Sequence, residues 1–244
     1  MTTISPDGRY ILVTGAARRI GKALALAIAH AGWNIIVHHG FSSKEALEVQ
    51  KEIEQGGQKA SILQADLNKP AEAASLVEHA FEIGRLYAVV NSAAVFERLD
   101  LTNTTLDDWQ HHLQVNLTAP FLIGQSFGRL LPGDQKGRIV NILDWRALRP
   151  GADHLPYTIS KAGLAALTKS LAVALAPRIS VNGLVLGAVL PPADGGKAEQ
   201  VLKYSPIPRF MGLDEVCQAA LFLLEGPETI TGETLHVDGG RHLI

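Results

Sequence analysis

Sulfur chemistry is nearly missing from this 244-residue chain, whose one cysteine is Cys217. That excludes an intrachain disulfide framework and a cysteine-built zinc site. An excess of positive charge is missing too: 22 Lys+Arg stand against 24 Asp+Glu, a net charge of −2 with no basic run. Sequence-independent nucleic-acid binding, which rests on many phosphate-neutralising cations, is thereby excluded. Residues 1–9 are polar, carry Pro6 and Gly8, and lack the basic-then-apolar order of a signal peptide. The longest apolar segment, residues 162–176, is interrupted by Lys169 and Ser170 and falls short of the ~20 residues that cross a bilayer. Charged residues are only 19% of the chain and apolar residues 47%. This balance excludes intrinsic disorder and predicts one large domain with a buried core, intracellular and cytoplasmic, with no membrane span.

What is present is a regular alternation. Short β-branched runs at 10–13, 34–38, 59–64, 86–91, 138–143, 180–186 and 234–237 read as strands. Helical periodicity lies between them, at 21–31, 44–55, from Pro70 onward, at 157–176 and 213–224. Residues 106–131 read as one long helix or as two joined at Pro120. Such alternation predicts an α/β fold: a single-domain (residues 1–244), doubly wound Rossmann architecture, with a seven-stranded parallel sheet and helices on both faces. No linker or repeat interrupts it. The Pro/Gly-rich stretch 187–208 breaks the rhythm after the carboxyl end of a strand, where ligands bind in such sheets, and is a candidate lid.

The first strand runs into Thr14-Gly15-Ala16-Ala17-Arg18-Arg19-Ile20-Gly21 and then a helix. Small residues there let a pyrophosphate approach the backbone, and free N–H groups with the positive end of the helix dipole favour it. The spacing differs from GxGxxG, so a plain strand-to-helix turn remains the alternative on this segment alone. An acidic residue at the end of the second strand would bind a ribose 2′-hydroxyl. None is found; the segment is His38-His39-Gly40-Phe41-Ser42-Ser43. With Arg18 and Arg19 nearby, a 2′-phosphate meets cations and hydroxyls, which favours NADPH without excluding NADH.

Tyr157 and Lys161, at i and i+4, share one face at the start of a helix. An ammonium beside a phenol favours the phenolate and makes a usable acid/base near neutrality, although on spacing alone an exposed surface pair is the better reading. Thr14-Gly15…Gly21, Asp66-Leu67, Asn91-Ser92-Ala93, Asn116, Tyr157…Lys161 and Thr231-Gly232…Val237-Asp238-Gly239-Gly240 together resemble the short-chain dehydrogenase/reductase family over nearly the whole chain. That resemblance implies a tetrad of Asn, Ser, Tyr and Lys. Three members map onto Asn116, Tyr157 and Lys161. It also implies a cofactor cleft lined by Gly15, Arg18, Arg19, Ile20, Gly21, His38, Ser42, Asp66, Leu67, Asn91, Ala93, Tyr157, Lys161 and Gly187, and dimers or tetramers paired through 106–131 and 157–176.

The fourth member departs. Where the family carries serine this chain has Asp144. Among short-chain reductases, pteridine reductases and the bacterial dihydromonapterin/dihydrofolate reductases use aspartate there. The chain resembles them also in Arg18-Arg19, in His38-His39, in the closing Asp238-Gly239-Gly240-Arg241-His242-Leu243, and in Phe96, at the place of an aromatic that stacks on the pterin. Phe41 replaces that group's basic strand-end residue, and a family proline near Leu186-Gly187 is absent. The resemblance implies an NADPH-dependent reductase of a dihydropterin: dihydromonapterin, dihydrobiopterin or dihydrofolate. Tyr157 and Asp144 would deliver the proton to a ring nitrogen, Lys161 would hold the nicotinamide ribose, Asn116 would order a water, and Arg19, Phe96, Asp144 and Tyr157 would bind the pterin. Two alternatives stand beside this: a carbonyl or alcohol reductase in which Asp144 replaces serine, and a nucleotide-sensing protein that has lost its chemistry. Asp144 could also be a turn aspartate and Phe96 a packing aromatic. Trp33, Trp109 and Trp145 read as core or rim aromatics. His30, His79, His111, His112 and His154 lack metal-ligand spacing and read as surface or packing residues, and no metal site is expected.

Overall fold

The computed structural model describes residues 6–189, 202 and 205–244. Its strands are β1 (Tyr10–Val13), β2 (Asn34–His39), β3 (Ala60–Gln64), β4 (Leu86–Asn91), β5 (Gly137–Asp144), β6 (Ile179–Leu186) and β7 (Thr234–Val237). The helices among the described residues are α1 (Arg19–His30), α2 (Ser43–Gln55), α3 (Pro70–Ile83), α4 (Leu106–Leu113), α5 (Ala119–Leu130), α6 (Leu155–Leu175) and α7 (Leu213–Glu225). The sheet is parallel throughout, in the order β3-β2-β1-β4-β5-β6-β7. Strand order reverses between β1 and β4. Loops leaving those two strands diverge there and open the crevice in which such sheets bind ligands.

Period-two alternation explains both cores. Ile11, Val13, Ile35 and Val37 point to one face and meet Leu24 and Ile28 of α1, Val49 and Ile53 of α2, and Val216 and Leu224 of α7. Leu12, Ile36 and Val89 point to the other and meet Leu76 of α3, Ile123 and Phe127 of α5, and Leu171 of α6. Each fully buried Ile, Leu or Phe contributes about 1.5–3 kcal/mol over its exposed state.

Residues 106–131 are one continuous helical path, yet its irregularity precedes Pro120. A π turn over Gln114–Thr118 separates α4 from α5. Pro120 cannot supply the N–H that the carbonyl of Asn116 takes in an α-helix, and its ring crowds that carbonyl, so the helix widens there. Helix α6 runs 21 residues with a mean hydropathy of 1.2. By length and composition alone it would pass for a membrane span, being longer than the apolar run at 162–176. Its buried residues, including Leu164, Leu171 and Lys161, instead pack it against the sheet. Most of the candidate lid at 187–208 lies outside the described residues.

Candidate active site

At the switch point the ends of β1 and β4 are tied together. Thr14 Oγ1 accepts the N–H groups of Ser92 and Ala93 at 3.0 and 3.1 Å. Gly15 has φ +65°, and a Cβ there would lie 2.8 Å from Cα of Ala93. A Cβ at Gly21 would fall on the Gly15 carbonyl. Both positions therefore need glycine. Arg18 caps α1 in an extended conformation with no side-chain bond to the helix, and the first turn has no acidic residue. Its N–H groups keep the anion-binding capacity of a helix start. Arg19 adopts φ +52°, uncommon for a bulky residue, and its guanidinium has no hydrogen-bond or ion-pair partner among the described residues. Ile20 packs onto the core beside α1.

The cations expected at the β2 end are arranged differently. His38 is buried; its Nδ1 accepts the Gly15 N–H at 3.1 Å and its Nε2 lies 3.1 Å from the Ala65 carbonyl, which fixes Nε2 as the protonated nitrogen. Burial pushes its pKa down to about 4. His38, expected to line the cofactor cleft, is 1% exposed and supports the turn as a neutral imidazole. Arg18 pairs with Glu45 of α2. The strand end keeps the Ser42 hydroxyl, which makes no capping bond, and no carboxylate. Asp66 accepts the Asn68 N–H at 3.0 Å and its own N–H donates to Glu72 at 2.6 Å, while the carbonyl of buried Leu67 accepts from Gln114 at 3.2 Å. Asn91 donates to Asn141 at 2.8 Å. A Cβ at Gly187 would lie 2.7 Å from Cα of Asp238. A glycine cradle, an uncapped helix start and a strand end free of carboxylate fit a phosphorylated dinucleotide.

The second group comes from β5 and α6. Asp144 ends β5 and Tyr157 stands in the first turn of α6, which brings the Tyr157 hydroxyl 3.3 Å from Asp144 Oδ2. Burial raises the Asp144 pKa, against the opposing pull of the Arg146 N–H, the Arg146 charge and Lys161. Burial also raises the Tyr157 pKa, and the Asp144 charge adds to it. One turn on, Lys161 is 2% exposed, and its Nζ donates to the Ile142 carbonyl at 2.7 Å. Burial lowers its pKa to about 8, with Asp144 pulling the other way. Burial thus shifts both groups of the pair towards their protonated forms, beside a cation. Asp144 is also a turn aspartate: Oδ1 accepts the Arg146 N–H at 2.9 Å. Oδ1 thus serves the turn, while Oδ2 faces the Tyr157 hydroxyl.

Phe96 is 54% exposed, lies edge-on to Tyr157 at 4.7 Å between ring centroids, and stacks on His154 at 4.3 Å. An exposed ring so placed makes a wall beside Tyr157, and His154, expected to be surface or packing, backs it. Asn116 holds this wall indirectly. Its Oδ1 accepts the Val95 N–H at 2.8 Å, and its Nδ2 donates to the Val95 carbonyl at 2.9 Å and to Ser160 Oγ at 3.0 Å. Its side chain is fully committed, so only its backbone carbonyl can serve a water. Arg146 is the neighbour that sequence reasoning missed: its guanidinium stacks on Trp145 at 4.6 Å and lies 3.8 Å from Asp144. The available signal was its place two residues after a strand-end aspartate, where an Asx turn receives an N–H. Arg241, in the C-terminal turn Arg241–Leu243, also stacks on Trp145, at 4.3 Å.

An open, doubly wound parallel sheet carrying a glycine-rich turn at its switch point and a Tyr–Lys pair beside a strand-end acid defines a nicotinamide-dependent oxidoreductase. The family model described as enoyl-(acyl carrier protein) reductase matches residues 15–242, and the chain belongs to the short-chain dehydrogenase/reductase family. The 3-oxoacyl-[acyl-carrier-protein] reductase of a Synechocystis species is 34% identical over 234 residues, 94% of this chain and 95% of that protein. The corresponding FabG of Aquifex aeolicus is 34% identical over 245 residues, 97% and 98% of the two chains. The crystal structure of FolM alternative dihydrofolate reductase 1 from Brucella canis, complexed with NADP, is 34% identical, with a TM-score of 0.90 over 98% of this chain and 96% of its own. A blue fluorescent protein from a metagenomic library, in complex with NADPH, is 31% identical, with a TM-score of 0.89 over 96% and 98%.

Proposed function

We propose that this chain is an NADPH-dependent reductase of a dihydropterin of the dihydromonapterin, dihydrobiopterin or dihydrofolate type. The observation that carries the reading is the buried Tyr157–Asp144 pair facing the exposed ring of Phe96. Identity alone does not choose, because relatives named for 3-oxoacyl thioester reduction and for dihydrofolate reduction share the same 34% with this chain. Site chemistry favours the pterin. A carbonyl substrate needs one donor for one oxygen, whereas a pterin offers ring nitrogens, and a carboxyl whose pKa burial raises can donate to nitrogen in its protonated form.

Bound NADPH would supply a hydride from its nicotinamide. Gly15, Gly21 and the start of α1 would hold its pyrophosphate, Lys161 its ribose. Tyr157 would donate from its hydroxyl to the substrate nitrogen and Asp144 would replace that proton, so the two titrate as one unit. Phe96 would stack on the planar ring, and the Asn116 carbonyl released by Pro120 would hold the water that Lys161 reaches. Exposed Phe121, Ile159 and Val173 on α5 and α6 support homodimer or homotetramer pairing, which light scattering tests. For the reaction, NADPH oxidation is followed with dihydromonapterin, dihydrobiopterin, dihydrofolate and a 3-oxoacyl thioester. Turnover of a dihydropterin that Tyr157→Phe abolishes is the expected result; reduction of the thioester alone overturns the reading.

A further inference from the structure

The two oxygens of Asp144 have different surroundings. Oδ1 accepts the backbone N–H of Arg146 at 2.9 Å and lies 3.8 Å from its Nη1. Oδ2 meets the Tyr157 hydroxyl at 3.3 Å. The guanidinium that faces Oδ1 is held in turn: Nη2 bonds Asp153 Oδ2 at 3.2 Å, and the group lies 4.6 Å from the Trp145 ring and 5.8 Å from that of Phe96. Charged or titratable groups around the carboxyl are Tyr157 and Lys161 of α6, Asp153 and His154 at the start of α6, Arg149 after the turn, and Arg241 from the C-terminal turn. Of these cations, only Arg146 contacts a carboxyl oxygen with both backbone and side chain among the described residues.

Resting on the acid pair proposed above, we propose that Arg146 is a positioning residue that keeps Oδ1 as acceptor and so confines the proton of Asp144 to Oδ2. A carboxyl proton on Oδ1 would point a donor at an N–H and a guanidinium, which have no acceptor to offer it. On Oδ2 it points at Tyr157. When Tyr157 gives its proton to a substrate nitrogen, the Oδ2–H bond breaks and a new O–H bond forms on Tyr157. Asp144 is left ionised, its charge on the oxygen that Arg146 already faces, and solvent later returns the proton. Arg146 thus gives the relay a direction without touching the reacting atoms.

The test follows the Asp144 carboxyl carbon by NMR in 13C-labelled protein without added ligand, and so is independent of any substrate. Loss of the guanidinium in Arg146→Gln is expected to move its titration to higher pH, because a nearby cation favours the carboxylate. Arg146→Lys is expected to return it towards the wild-type position. Arg146→Met is the second neutral variant, read the same way if Gln does not fold. Neutron diffraction from crystals held below that titration is expected to place the deuteron on Oδ2. An unmoved titration in the neutral variants, a Lys variant that titrates like Gln, or a deuteron on Oδ1 overturns the inference. Failure of every pterin in the turnover assay, with the titration shifted as expected, would instead overturn the substrate reading alone.

Discussion

The N–H of Gly15 donates to Nδ1 of His38 across 3.1 Å, so the first turn of the cofactor cleft rests on a buried, neutral imidazole. Protonation would put a donor where Gly15 needs an acceptor. With the native pKa near 4 and the unperturbed value 6.5, the unfolded chain binds the proton first as pH falls. Stability is therefore complete above about pH 6.5 and declines towards pH 4, by up to about 3 kcal/mol from this group. His38→Phe is expected to flatten that part of the urea-unfolding pH profile. It should also weaken NADPH binding about tenfold by freeing the turn, at a cost of one lost buried bond, about 1.4 kcal/mol. Fluorescence titration reads the second effect; an unchanged NADPH affinity would remove His38 from any support of the cofactor.

Asn116 ties the loop carrying Phe96 to α6 through three hydrogen bonds. Asn116→Ala leaves the Val95 N–H without its partner, and is expected to destabilise the fold by about 1–3 kcal/mol. Because the loss falls on the Phe96 wall, KM for a dihydropterin should rise more than NADPH affinity falls. Denaturant unfolding and steady-state kinetics check the two parts separately. Equal weakening of both ligands would mean that the loop serves the cleft as a whole.

Much of this was legible beforehand because its signals are local. The β-branched runs and the apolar faces between them place all seven strands, since parallel strands buried on both faces read as continuous apolar runs. Helical spacing put Tyr157 and Lys161 on one face, and the family's motif raised them above an ordinary surface pair. His38 was expected to line the cleft, and its part as a buried prop was not legible because polarity shows in a sequence and burial does not: its two partners, Gly15 and Ala65, are 23 and 27 positions away. Arg146 and His154 were missed for a related reason. Their meaning lies in what they stack against, Trp145 and Phe96, and no periodicity encodes ring contact. Asn116 was found by motif, but its double bond to Val95 depends on a π turn that the sequence marks only through Pro120.

Asp144→Ser separates the two reductase chemistries. A serine hydroxyl can donate to a carbonyl oxygen but lacks an ionisable group to pair with Tyr157. Turnover of a dihydropterin is expected to fall about 10²–10⁴-fold, the usual worth of a positioned acid, and any ketone turnover to rise. Burial raises the Asp144 pKa, so the same substitution should also remove its titration from the pH profile of kcat. Pterin turnover unchanged by serine would transfer the acid role to Tyr157 alone.

Lys161 is the costliest charge in the cleft. Its ammonium is 2% exposed, donates to the Ile142 carbonyl and has its pKa lowered by burial to about 8 from 10.5. A base with a depressed native pKa binds its proton more weakly folded than unfolded. Between pH 10.5 and 8 the unfolded chain therefore gains the proton first, and stability is lost as pH falls through that window and stays lost below it. Lys161→Met escapes the loss. The variant is expected to gain on the wild type by up to about 3 kcal/mol as pH is lowered from 10.5 to 8, whatever constant cost the unpaired Ile142 carbonyl adds. Activity should disappear with the charge, and in the wild type kcat/KM for NADPH, which reports the free enzyme, should decline above about pH 8 as Lys161 deprotonates. A stability difference flat across that window would mean that Lys161 stays solvated, and the alkaline limb would then need another residue.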